Sequence, residues 1–168
     1  MAAGRVPDAL YASPPVRTDG NGFFEFGALA GGFIVYASQF GHEDSVVSVP
    51  TLTAPTSLDI RLKPDAGAYI ERRLTGTFDG VDDLGLDIST VRINTRGSGV
   101  FDAVLRARSC DRDGGVQIIA QNAGFGFVST TFDCDYARLR FDLRASEVQL
   151  ELQARKARGW ELTYREPR

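Results

Sequence analysis

Hydrophobic and polar residues alternate with a period of two along most of this chain. Runs with a helical period are nearly absent, so the pattern predicts strands. The clearest alternation lies near the C-terminus. Leu139, Phe141, Leu143 and Ala145 alternate with Arg138, Arg140, Asp142 and Arg144, and Val148, Leu150, Leu152 and Ala154 alternate with Gln149, Glu151 and Gln153. Trp160, Leu162 and Tyr164 mark a last strand, with Trp160 on the core side. Upstream, Phe101, Ala103, Leu105 and Ala107 mark one face, and Asp102, Arg106 and Arg108 the other. Such patterning places one face in a core and the other in water, as in antiparallel sheets. Asp113-Gly114-Gly115 reads as a turn into Val116–Ala120, Phe125–Phe132 follows, and Ile70–Phe78 opens this half.

The first half is more broken. Thr18-Asp19-Gly20-Asn21-Gly22 is a dense turn signal leading into Phe23–Phe26. Gly31-Gly32 releases Phe33–Ser38, which Phe40-Gly41-His42 closes; Val46, Val49 and Leu52 form a ragged strand around Pro50. Leu58–Leu62 alternates cleanly and stops at Pro64, and Pro64–Gly67 reads as a linker. Short strands with turn signals every ten residues or so predict an all-β protein of two tandem antiparallel β-sandwich domains, residues 1–65 and 66–168.

Composition narrows the function classes. The 168 residues are 43% hydrophobic and 24% charged, as in a folded chain. A net charge of −3, with arginines scattered along the sequence, gives no footprint for nucleic acid. The longest apolar run, around Ala28–Ala37, is broken by glycines and too short to span a bilayer. Met1–Arg5 lacks the charged start and apolar core of a signal peptide.

Thr18–Phe26, Leu29-Ala30-Gly31-Gly32-Phe33-Ile34-Val35, Gly41-His42 and Leu58–Pro64 together resemble the carboxypeptidase regulatory-like domain, a transthyretin-like β-sandwich that serves as an accessory module. His42 departs from the family, which has an aromatic there. The resemblance implies a non-catalytic accessory or interaction module, with protein or polysaccharide at the cell surface as partner. It also implies that Met1–Val6 stands where the family's first strand has already passed, so a start internal to a longer exported protein is expected. Residues 68–168 bear only a faint similarity to sandwiches appended to secreted bacterial enzymes. An extracellular, periplasmic or envelope location follows as an expectation.

Candidate chemistry is sparse. A Ser or Cys nucleophile needs a base within reach, and His42 is the only histidine. No enzyme activity and no obligatory cofactor are expected. Cys110 and Cys134 are either two buried thiols or a disulfide; the small sandwich around them and their polar neighbours favour the bond. Asp111, Asp113, Asp133 and Asp135 flank the two cysteines, so a disulfide would draw four carboxylates together as the start of a calcium site, although Asp and Gly also simply build turns. Carbohydrate binding is the alternative function, with Phe125, Phe127 and Tyr11 as the stacking candidates.

Overall fold

The computed structural model describes residues 16, 18–25, 32–51, 54, 56–95, 98–121, 127–128, 134, 136–143 and 146–168. Among these residues there is no helix, and the strands fall into two sheets, so the all-β expectation holds. Strands β1 (Phe33–Ala37) and β2 (Ser45–Val49) form an antiparallel two-stranded sheet. The second sheet contains β3 (Tyr69–Gly76), β4 (Gly80–Val81), β5 (Asp87–Asn94), β6 (Gly99–Ala120), β7 (Phe127–Val128), β8 (Ala137–Leu143) and β9 (Glu147–Pro167).

The last two long strands define the architecture. β6 and β9 pair antiparallel in two stretches, Asp102–Cys110 against Ala157–Arg165 and Gly115–Ala120 against Leu150–Arg155. Between them, residues 111–114 of β6 face a single residue, Lys156, of β9. Extra residues in one strand bend and twist a ladder. Lys156 takes a left-handed φ of 49° at this point, and Gly159 follows at 64°. The bulge divides the sheet into two arms. In one arm the order is β3-β9-β6-β8, and in the other β4-β5-β9-β6-β7.

Phe101 and Leu105 of the first arm and Ile118 and Leu152 of the second are all fully buried, and all belong to one apolar cluster. One layer of strands cannot bury its own face. Among the described residues, the layer available to each arm is the other arm, so the sheet folds at the bulge into a β-sandwich. Burial of a large apolar side chain stabilises by about 1.5–3 kcal/mol, which makes this shared core the main source of stability.

Sequence patterning and structure diverge at several places. Asp113-Gly114-Gly115 is not a hairpin turn but the bulge inside one continuous strand. Val148–Ala154 and Trp160–Tyr164 are likewise two stretches of the single strand β9. Leu58–Leu62 does alternate between exposed and half-buried positions, yet it forms no ladder. Its continuation makes one isolated bridge, His42 to Pro64, through the Glu43 N–H to the Lys63 carbonyl oxygen and the Asp65 N–H to the Gly41 carbonyl oxygen, and the next donor, the Gly41 N–H, goes to Asp102 instead. The Asp19–Phe23 turn forms as read: Asp19 Oδ1 accepts the Asn21 and Phe23 N–H groups at 2.8 and 2.9 Å, and Gly22 takes φ 81°.

Candidate functional site

Alternation assigns Arg138, Arg140 and Asp102 to the solvent face, and there the assignment fails. Their side chains are only 7%, 17% and 2% exposed. They lie on the outer face of the first arm, where Asp102 stands in register with Arg140 of β8 and Arg165 of β9. The connection between β1 and β2, together with residues 63–65, covers this face.

The contact is ionic and backbone-mediated. Arg138 grips Asp102 through two parallel bonds, Nε to Oδ1 at 2.8 Å and Nη2 to Oδ2 at 2.9 Å. Arg138 Nη1 also reaches Asp44 Oδ1 at 2.7 Å. Arg140 makes a second fork onto Asp65, at 2.9 and 2.6 Å. Both guanidinium groups donate to the His42 carbonyl oxygen, at 3.2 and 3.0 Å. The Gly41 N–H donates to Asp102 Oδ2 at 2.9 Å. Arg165 lies 3.9 Å from Asp65 and sits over the Tyr69 ring. Three arginines thus meet three aspartates, and the cluster is neutral.

Planar guanidinium groups suit such paired geometry, and buried charges persist only where they are paired in this way. Hydrogen bonding to Arg140 holds the Asp65 carboxyl below its usual range, against burial, and Arg165 and Arg138 add to the effect. Burial alone would lower the Arg138 guanidinium, but its bonds to Asp102 and the charges of Asp102 and Asp44 outweigh it and raise the net value. Burial raises the Tyr136 hydroxyl beside the cluster, because it disfavours the phenolate.

Glycine is favoured at position 41 by its left-handed backbone. It has φ 76°, and a Cβ there would collide with the Arg165 guanidinium. The His42 side chain serves the turn: Nδ1 lies 3.2 Å from the Phe40 carbonyl oxygen. The residue's contribution to the network is its main-chain oxygen.

Above this latch the hairpin presents an apolar face. Ile34 pairs with Ser48 and Tyr36 with Val46, which sets these four side chains together. Ile34, Tyr36 and Val46 are 49%, 74% and 60% exposed, whereas Val49 on the opposite face is buried.

The disulfide expected from sequence forms between Cys110 and Cys134, with Cα atoms 5.8 Å apart. It joins the β6 bulge to the residue leading into β8, beyond the open end of the antiparallel β6–β7 pair. Gly114 is packed against Cys110 Sγ and the carbonyl oxygens of Arg155 and Lys156. Asp111 and Asp113 are exposed on the bulge, with Asp113 3.9 Å from Lys156; Asp133 and Asp135 lie outside the described residues. Among the described residues no group of three or more His, Cys, Asp and Glu side chains converges on a metal-sized site. Tyr11 and Phe125 also lie outside the described residues, and Phe127 is described by its backbone, in register with Ala120. The disulfide indicates a non-cytoplasmic protein. No helix among the described residues is long and apolar enough to cross a membrane.

No family model matches the chain, and no curated protein matches it. Among solved structures, the chain is similar to the P-domain of Macrobrachium rosenbergii nodavirus, at 12% identity over 59% of this chain and 92% of that domain. The TM-score is 0.34.

Proposed function

We propose that this chain is a non-catalytic β-sandwich interaction module of a secreted or envelope-associated protein, and that the β1–β2 hairpin is its protein-contact surface. The exposed Ile34–Tyr36–Val46 face carries the reading. Large apolar side chains grouped on one face mark contact sites more often than isolated ones do, and an aromatic such as Tyr36 brings large contact area at low entropic cost. The ionic latch holds the hairpin tip on the sandwich, which limits the ordering cost of binding. The resemblance of Thr18–Pro64 to an accessory domain and the disulfide support the same reading.

The test is photo-cross-linking from an unnatural aromatic at position 36, in the organism that makes the protein. A discrete adduct is expected, suppressed by excess unlabelled protein but not by the Tyr36→Ser variant. Equal suppression by both, or no adduct, contradicts the assignment.

A further inference from the structure

The outer face of the second arm carries an amide grid. The chain has five glutamines, and four of them, Gln117, Gln121, Gln149 and Gln153, stand on the adjacent strands β6 and β9 or at their ends. Gln117 is in register with Gln153, and the Gln121 N–H donates to the Gln149 carbonyl oxygen at 2.9 Å. The inward neighbours of these residues, Val116, Ile118, Ala120, Leu150 and Leu152, are buried, so the glutamines stand on the opposite face.

Their side chains are tied to one another. Gln149 Nε2 donates to Gln121 Oε1 at 2.7 Å, Gln153 Nε2 donates to Glu151 Oε1 at 2.7 Å, and Gln121 Nε2 donates to Glu151 Oε2. Each lateral bond uses one N–H of an amide that has two, and leaves acceptor lone pairs as well. The amides of Gln121, Gln149 and Gln153 are therefore held in place while retaining capacity for a ligand. Strand geometry spaces them about 4.8 Å across the sheet and about 13 Å along each strand.

We infer that this face is a binding surface for a neutral, polyhydroxylated polymer, that is, a neutral polysaccharide. A sugar hydroxyl both donates and accepts, and so does an amide. Charge argues for neutrality: Glu151 lies at the centre of the grid, and Arg92 of β5, in register with Gln149, offsets it. An anionic polymer would meet the Glu151 carboxylate, and a cationic one the Arg92 guanidinium. Contact spread over several fixed amides favours an extended chain over a single sugar. This surface uses none of the aromatic positions Tyr11, Phe125 and Phe127, and it is independent of the hairpin contact.

Affinity electrophoresis in native gels containing hydroxyethyl cellulose, xylan, soluble starch or dextran tests it, with alginate as the anionic comparison. The wild-type protein is expected to be retarded by at least one neutral polymer. The combined Gln121→Ala, Gln149→Ala and Gln153→Ala variant should bind that polymer at least about tenfold more weakly, as expected for loss of several modest hydrogen bonds. Gln121→Arg, at the exposed margin where folding is not at stake, should weaken it in the same direction, and Tyr36→Ser should bind like the wild type. Unretarded wild type in every neutral gel, retardation by alginate alone, or equal retardation of the glutamine variants would overturn the inference. Loss of retardation in Tyr36→Ser would overturn it too, by placing the contact on the hairpin.

Discussion

Arg138 holds Asp102 in a two-bond ion pair, at 2.8 and 2.9 Å, on the face of the sandwich that sequence alternation assigns to water. That pair is the seat on which the hairpin tip rests, since Asp102 also receives the Gly41 N–H and Arg138 also donates to His42 and Asp44. Removing one member leaves the others buried without compensation.

Replacing Asp102 with asparagine therefore keeps the shape and removes the charge. The expected cost is about 3–5 kcal/mol, the usual penalty for breaking a buried pair from one side. Urea unfolding measures it, and a loss below about 1 kcal/mol would show that the network contributes little.

Gly41→Ala attacks the same seat through the backbone. It places a side chain at φ 76° and against the Arg165 guanidinium. A cost of about 1–3 kcal/mol is expected, together with faster proteolysis within residues 38–44. Unchanged proteolysis would mean that the tip is held elsewhere.

The cluster also sets an acid limit. The Asp65 carboxyl is depressed in the folded state by its bonds to Arg140. Its contribution to stability is thus fully present above the unfolded value, near 3.8, and is lost as pH falls through the lower folded value. Unfolding free energy should fall below about pH 4 in the wild type, and less steeply in Asp65→Asn. Parallel pH profiles would contradict the assignment.

Alternation made the all-β class and the inward residues of β6, β8 and β9 legible, because burial on one face of a strand imposes a period of two. It says which face is polar, not what covers that face, and so Arg138 and Arg140 read as solvated. Asp113-Gly114-Gly115 looks like a turn, yet it is a place where a long strand bends; only the pairing of β6 with β9 distinguishes the two. The glutamine grid escaped for a similar reason. Its signal, two glutamines four apart on each of two strands, is visible in the sequence, but the strands lie some thirty residues apart and meet only in the sheet.

Disulfide removal tests the bulge. Cys110 and Cys134 are separated by 24 positions, and closing such a loop contributes roughly 3.5 kcal/mol in the chain-entropy model. The Cys110→Ala, Cys134→Ala variant should be destabilised by about that amount in urea. A change under about 1 kcal/mol would show that the bulge is held by its other contacts, such as the packing of Gly114 against Arg155 and Lys156.

The central claim is that the ionic latch presents the hairpin from a sandwich that is stable without it. Hydrogen exchange of the wild type and Asp102→Asn tests this most directly. The amides of Gly41 and of Phe33–Ala37 and Ser45–Val49 should lose more protection in the variant than those in the second arm, Val116–Ala120 and Leu150–Ala154, which fall only by the global loss that urea unfolding reads. Equal protection of the hairpin in both proteins, or a uniform loss across hairpin and second arm alike, would contradict it.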